Sequence, residues 1–219
     1  LANITDFSQY ADTLNKLHPE AYLSEIAGLQ NWENNFFGSL MSCHANDGAQ
    51  APIAEEDCTW GEVTFAGMDA DKTNQNFGVF GSGTRIQIGR QQHIDADWVL
   101  GASAAYQQWD DTVDSRADLR GRGFALGAVA KYLQGPWVNA LAFSFAYDSF
   151  DGQRYIDVPS AFNVESGSSH TIYTGLHGGS AYLSELGEVY LEPYADLDLG
   201  YYKLAGYDKK GAGVIGVDT

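Results

Sequence analysis

The sequence predicts an all-β membrane protein, an antiparallel up-and-down transmembrane β-barrel preceded by an α-helix. The first observation is a regular alternation between residues 98 and 147, where apolar side chains take every second position in three segments. The second is that each apolar face begins and ends on an aromatic residue, whereas the opposite face is small or polar. A membrane-spanning β-strand needs about 9–11 residues, aromatic girdles at both interfaces and a polar interior. The three segments match that length and that pattern.

The alternation holds residue by residue in each segment. The apolar faces run from Trp98 to Tyr106, from Phe124 to Tyr132 and from Trp137 to Tyr147. Such alternation marks a half-buried strand, and a water-soluble β-sandwich or closed barrel is the alternative. A soluble version would expose mainly glycine, alanine and serine, which make a poor solubilising surface. The membrane barrel is therefore favoured.

Composition narrows the possible functions. The 219 residues include 29 acidic and 12 basic side chains, a net charge of −17, which argues against nucleic acid as a partner. No apolar run approaches the roughly 20 residues of a transmembrane helix. The mean hydropathy of −0.27 is compatible with a membrane barrel, because only alternate residues face lipid. Phosphate-binding loops, HExxH and nucleophile elbows are absent from the sequence, so we expect no catalytic residue, cofactor or metal.

Two helices are predicted before the strands. Residues 5–17 read as a short helix, and a second begins at Pro19 and ends near Ser42. About 24 residues at 1.5 Å each would cover roughly 36 Å, close to one membrane thickness. The middle of the second helix is too polar to face lipid. Such a helix could lie in a hydrated pore. From this segment alone, however, a surface helix packed on a sheet is the favoured interpretation.

The connections between strands alternate in length. Short ones are predicted at 93–97, 134–136 and 183–187, and long ones at 110–121, 148–168 and 204–211. Outer-membrane barrels have short periplasmic turns and longer extracellular loops. The strands that these connections join are expected at about 59–69, 76–91, 98–106, 124–132, 137–147, 169–183 and 188–202, with the start of an eighth at 212–219.

This arrangement assigns side chains to the two interfaces and to the interior. One aromatic girdle is predicted on the side of the short turns and a second on the opposite side. Pro193 lacks a ladder donor, so it should mark an end or an irregularity of the last strand. The first girdle comprises Trp98, Tyr132, Trp137 and Tyr182, the second Tyr106 and Tyr147, and the predicted lumen-facing polar residues are Arg85, Lys131, Glu192, Asp196 and Asp198.

Cys43 and Cys58 are separated by 14 residues of polar sequence. In a reducing compartment they would be free thiols, whereas in a cell envelope a local disulfide is favoured. Their spacing lacks the CxxC signature of zinc or redox sites, and His44 alone is a weak candidate for a metal ligand. His170 and His177, seven residues apart on one strand, fall on opposite faces and do not form a simple metal pair.

Taken in order, several segments resemble the translocator β-domain of classical (type Va) autotransporters of Gram-negative bacteria. Each motif alone is weak, but their order and spacing together are fairly specific, and they cover nearly the whole chain. They are the lead-in from Leu17 to Tyr22, Cys43 with Cys58-Thr59-Trp60-Gly61, Ile86 to Gly89, Trp98 to Tyr106, Gly135-Pro136-Trp137 and Leu191 to Ala195.

The resemblance implies a twelve-stranded outer-membrane barrel, threaded by the linker helix, that anchors and exports an N-terminal passenger. Residues 1–58 would be the helical linker and lumen helix, with a Cys43–Cys58 loop on the periplasmic side where a disulfide can form. Residues 59–219 would be the barrel, C-terminally incomplete because only seven or eight strands are counted. The implied partners are outer-membrane lipid and lipopolysaccharide, the passenger upstream, the barrel-assembly machinery and periplasmic chaperones.

Other functions stay open at this level. A soluble β-rich ligand-binding or adhesion domain, or a porin-like barrel of another family, would share part of the pattern. Some autotransporters cleave their linker inside the barrel at an Asn-Asn pair with a lumenal acid, and Asn34-Asn35 lies in the predicted helix. The neighbouring residues do not match that subfamily, so we expect two polar helix residues in water. The acids considered for that role are Glu62, Glu192, Asp196 and Asp198.

Overall fold

The computed structural model describes residues 20–41, 57–71, 78–113, 117–158, 161–186, 189–206 and 208–210. Within them a helix precedes a series of strands, as the sequence predicted. The elements are α1 (Glu20–Met41), β1 (Cys58–Ala70), β2 (Val79–His93), β3 (Trp98–Val113), β4 (Ala117–Gln134), β5 (Trp137–Val158), β6 (Ala161–Tyr182), β7 (Ser184–Leu186), β8 (Val189–Leu191), β9 (Tyr194–Leu204) and β10 (Asp208–Lys210).

The main sheet is an antiparallel meander in which β1 to β6 pair in chain order. Strand β6 then pairs with β9 along one stretch and with β10 along another, while β7 and β8 form a separate two-stranded hairpin. The predicted fold class, an antiparallel up-and-down sheet with an N-terminal helix, is confirmed. Across the described residues the sheet is open between β1 and β9.

The two faces of the sheet differ in the way the alternation predicted. We call the face that carries α1 the inner face and the opposite one the outer face. The outer face exposes large apolar side chains, among them Leu100 (46%), Phe124 (44%), Phe143 (50%) and Leu197 (65%). These side chains do not meet in a dry core, so the sheet has the outward apolar surface that a lipid-embedded sheet requires.

The hydrophobic core lies between α1 and the inner face. The helix contributes large side chains, including Phe36 and Leu40, which are 0% and 1% exposed. The wall opposite them is mostly alanine, a volume complement that lets the helix axis approach the sheet closely. The wall residues of this cluster are Ala105, Ala125, Val129, Ala140, Ala142, Ala146 and Tyr173.

Two of the predicted long loops are continuations of strands. Strands β3 and β4 extend to Val113 and from Ala117, and β5 and β6 extend to Val158 and from Ala161, so the loops expected at 110–121 and 148–168 were wrong. The prediction failed because the outer face becomes charged beyond the girdle, as at the Asp110–Arg120 ion pair of 2.8 Å. The inner face stays apolar there, where Trp109, Leu119 and Phe150 are buried together.

The last predicted strand is also corrected. A continuous strand over 188–202 was expected, but Val189–Leu191 pairs with β7, and β9 begins only at Tyr194. Pro193 separates them because it has no N–H to donate; its carbonyl accepts the N–H of Tyr182 at 3.0 Å. The region 204–211, predicted as a loop, contains β10.

Several predictions fall on residues outside the described part of the chain. They are the helix at 5–17, the eighth strand at 212–219, Cys43 and His44. Among the described residues, no helix combines the length and the apolar character needed to cross a bilayer.

Candidate functional site

The inner face carries a band of buried polar side chains around α1. Neighbouring strands satisfy some of them, since Gln87 Nε2 donates to Ser103 Oγ at 2.8 Å and Gln107 Nε2 donates to Asp148 Oδ1 at 2.7 Å. Buried polar groups that bond one another make a wall that is hydrophilic yet rigid. Its buried members include Arg85, Gln87, Gln91, Ser103, Gln107, Lys131, Ser144, Asp148, Thr171 and His177.

Arg85 is the first contact between the wall and the helix. Its Nη1 donates to the backbone carbonyl of Trp32, across 53 residues of sequence. The guanidinium carbon also lies 5.6 Å from the Trp32 ring centroid and 5.2 Å from that of Phe36. A guanidinium stacked on two aromatic rings is stabilised by cation–π attraction, which strengthens away from water. Arg85 therefore holds the middle of α1 against β2.

The second contact lies at the C-terminus of the helix. Lys131 Nζ donates to the carbonyl of Met41 at 2.5 Å, and Gln91 Nε2 donates to that of Leu40 at 3.4 Å. The last carbonyls of a helix have no intrahelical donor and carry a partial negative charge. The last turn of α1 contains no basic residue of its own. Two strands of the wall thus provide the cap that the helix sequence lacks.

Glycines make room for the helix on the wall, and the closest approaches are at two positions. A Cβ at Gly127 would lie 2.4 Å from Leu40 Cδ1 and 2.6 Å from Phe36 Cε1, and a Cβ at Gly83 would lie 2.6 Å from a ring carbon of Trp32. These separations are well inside van der Waals contact. Glycine at both positions is therefore a condition for the observed docking of α1.

The polar side of the helix is divided between wall and solvent. Glu33 is 2% exposed, whereas Asn34 and Asn35 are exposed. Near the end of the helix Ser39 Oγ donates to Glu62 Oε2 at 3.1 Å, a link from α1 to β1. The Asn pair considered as a cleavage site thus lies on the helix face turned away from the wall.

The predicted lumen-facing residues occupy two kinds of position. Arg85 and Lys131 are buried and hold the helix. Asp196 and Asp198 lie on the inner face of β9, opposite Gly179 and His177, and are exposed along the open side of the sheet. Glu192 is half-buried and precedes β9, outside the strands, so it is not part of the wall.

The predicted girdle residues lie on the outer face, one group at the short-turn end of the paired strands and the other about halfway along them. At the end with the short turns, Trp98 packs on Tyr132 with ring centroids 5.0 Å apart, and Trp137 packs on Tyr182 at 4.9 Å. About halfway along the strands, Tyr106 and Tyr147 face outward on either side of Phe124, and the Phe124–Tyr147 centroid distance is 5.9 Å.

The start of β1 lies beside the end of β2, at the same end as the helix C-terminus. Asp57 Oδ1 accepts the backbone N–H of His93 at 2.7 Å and contacts its Nδ1 at 2.9 Å. These hydrogen bonds, the backbone one first, lower the pKa of Asp57 below its ordinary value. The next residue, Cys58, is disulfide-bonded; Cys43 lies outside the described residues, so the Cys43–Cys58 pairing stays a prediction.

The domain is an open antiparallel sheet that carries a helix on its polar inner face and exposes an apolar outer face. The sequence matches the family model described as "Autotransporter beta-domain" over residues 59–218. The chain belongs to the autotransporter β-domain family. It is thus a domain of the outer membrane of a Gram-negative bacterium, as the sequence predicted.

A solved structure supports the fold of this autotransporter domain. The translocator domain of autotransporter NalP from Neisseria meningitidis is similar, with a TM-score of 0.68 and 12% identity over 87% of this chain. The chain spans 64% of the length of that structure. Comparison with curated proteins gave no match.

Sequence reasoning missed part of the site. Gln91 and the helix carbonyls that it and Lys131 cap were not predicted, because a backbone carbonyl has no sequence signature. His170 and His177 were considered only as a pair with each other, and the inward position of His177, which followed from the alternation of β6, was not combined with residues of another strand.

Proposed function

We propose that this autotransporter domain anchors and exports a passenger that precedes it in the chain, with α1 as the trailing end of the exported polypeptide. The observation that carries the proposal is the docking of a partly polar helix on the inner face through Arg85 and Lys131. A helix with exposed Asn34 and Asn35 would be costly in lipid, but it suits a wet interior. The outer face meanwhile supplies the apolar surface for the membrane.

The direction of α1 supports the path of the chain. Its C-terminus lies beside Lys131 and Gln91, close to the girdle at the short turns, and Cys58 also pairs with Gln91. The helix therefore ends where β1 begins, and its N-terminus points along the sheet toward the opposite end. Short turns are periplasmic in outer-membrane barrels. Upstream residues would leave at the cell surface.

We infer that this segment performs no catalysis and that its partners are lipid, lipopolysaccharide and the passenger, with barrel-assembly machinery and periplasmic chaperones acting before insertion. The Asn34 and Asn35 side chains are exposed on the helix face turned away from the wall, and Glu62, one of the acids considered for cleavage, accepts from Ser39 Oγ at 3.1 Å instead. Passenger release by the purified full-length protein, abolished in Asn35→Ala, would contradict the non-catalytic assignment.

Export is tested by surface display. An epitope placed upstream of Glu20 in the full-length protein should become accessible to antibody on intact cells. Arg85→Leu with Lys131→Met should leave the barrel inserted but loosen α1, and so raise ion conductance through the reconstituted protein. Lys203→Met, on the outer face of β9, is the matched control and should leave conductance unchanged. An inaccessible epitope in cells whose barrel is correctly inserted would contradict export.

A further inference from the structure

A group of potential metal ligands lies apart from the contacts that hold the helix. His177 on β6 and Asp196 and Asp198 on β9 each offer one ligand atom, and these atoms lie within 4.8 Å of one another. His177 and Asp198 are direct partners in the strand register, and Asp196 is two residues away on the same face. The three side chains therefore converge because of pairing, although Asp198 follows the histidine at an offset of 21 positions in the sequence.

The histidine is buried, and one of its two ring nitrogens is directed at the aspartates. His177 is 0% exposed, its Nδ1 contacts the Asp198 carboxylate, and its Nε2 has no hydrogen-bond partner. The two ring nitrogens point away from each other, so Nδ1 is the nitrogen that can share an ion with the carboxylates. An ion bound there would replace the proton between Nδ1 and Asp198, and the neutral ring would then carry its proton on Nε2.

Charge and space around the group favour a cation. Along the paired stretch, the inner-face positions of β6 and β9 include two aspartates and neither lysine nor arginine. Gly179, which has no side chain, is the register partner of Asp196, and Asp196 is exposed. The other side is closed by aromatic rings, since Phe37 lies 5.6 Å from His177 and Tyr173 packs on Tyr202 at 4.5 Å. The site is thus walled on one side and reachable from the interior on the other.

We propose that His177, Asp196 and Asp198 form a binding site for a divalent first-row transition ion such as Zn²⁺ that links β6 to β9. One imidazole nitrogen and two carboxylates are the ligand types that such ions accept, and three protein ligands leave a position for water. The ion would neutralise the adjacent acids and fix the register of β9 just after the break at Pro193. It would also hold the imidazole against Phe37 of α1.

The test uses the full-length protein, stripped with a chelator and refolded in detergent. Zn²⁺ binding is measured by calorimetry, and Co²⁺ binding by its visible absorption. We expect one ion per chain in the wild type. Affinity should fall at least about tenfold in His177→Gln and in Asp196→Asn. The matched control is His170→Gln, on the outer face of the same strand, which should bind as the wild type does.

The outcomes separate the alternatives. Heat-modifiable mobility on gels shows which variants have folded. Wild-type protein that takes up no stoichiometric Zn²⁺, or His177→Gln protein that binds with unchanged affinity, would overturn the site. If His177→Gln does not fold, Asp196→Asn decides, because Asp196 is exposed and its replacement is isosteric; unchanged affinity there also overturns the site. Surface display of the passenger is scored separately and does not bear on metal binding.

Discussion

The close approach of α1 to Gly127 gives the sharpest test of the helix docking. In Gly127→Ala the new Cβ would lie 2.4 Å from Leu40 Cδ1, whereas unstrained carbon atoms stand about 3.5–4.0 Å apart. Leu40 and Phe36 are 1% and 0% exposed, so neither can move into open space. Relief requires a helix shift of roughly 1 Å or off-rotamer side chains, and overpacking of this kind costs about 1–3 kcal/mol.

The assay is urea unfolding of the full-length protein in lipid vesicles, followed by tryptophan fluorescence. Gly178→Ala is the matched control, since its nearest contact would be Leu141 Cδ1 at 4.0 Å. That variant should be neutral or gain about 0.5–1 kcal/mol. Leu40→Ala alone should cost about 2–5 kcal/mol. The double variant Gly127→Ala with Leu40→Ala should lose less than the sum, because the added methyl fills space vacated by the leucine. Strict additivity, or equal effects of Gly127→Ala and Gly178→Ala, would refute the docking.

Three further predictions concern the cap, the turn end and the outer face. Lys131→Met should lower the free energy of unfolding by about 1.5–3 kcal/mol, because a charged hydrogen bond to the helix C-terminus is lost. In the same urea assay, Lys131→Arg should keep most of the wild-type stability. Equal losses in the two variants would argue against a charge-based cap. The pKa of Asp57 is lowered from 3.8, so the stabilisation that Asp57 contributes is complete above pH 3.8 and is lost as the pH falls through the still lower pKa of the folded state. The urea midpoint of the wild type should therefore drop in that pH range, whereas the midpoint of Asp57→Asn should not. Parallel pH curves for the two proteins would count against the His93 contact. Leu126→Arg, on the lipid-facing side, should lower the free energy of unfolding by about 2–4 kcal/mol, and Gln108→Arg, beyond the girdle, by at most about 1 kcal/mol. Both values are measured by urea unfolding in vesicles. Equal losses in the two variants would contradict the assigned position of the membrane.

The outer face was the most predictable part of the molecule. Alternation assigned Leu100, Phe124 and Phe143 to one face because every second side chain of a membrane-spanning strand faces lipid and is therefore apolar. The same rule failed beyond the girdle, since water tolerates Asp110 and Arg120 on the outer face and the periodic apolar signal disappears. The length of the strands beyond the girdle could therefore not be predicted from the alternation.

The helix site was predictable only in part. The inward positions of Arg85 and Lys131 followed from the two-residue period, but their partners did not. Their acceptors are carbonyls of Trp32 and Met41, a group that every residue possesses, 53 and 90 residues away. The convergence of His177 with Asp198 was likewise not predictable, because it depends on the register of β6 and β9. The interruption of the predicted strand at Pro193 prevents that register from being read from the sequence.

The cap formed by Lys131 and Gln91 also has a polarity. If α1 lay in the reverse sense, its N-terminal amides would face the ammonium group, donor against donor and positive against positive. The wall thus distinguishes head from tail in the polypeptide it holds. Only the observed sense of α1 places helix carbonyls, rather than amides, beside Lys131 and Gln91, so this contact by itself fixes the direction of the helix on the sheet.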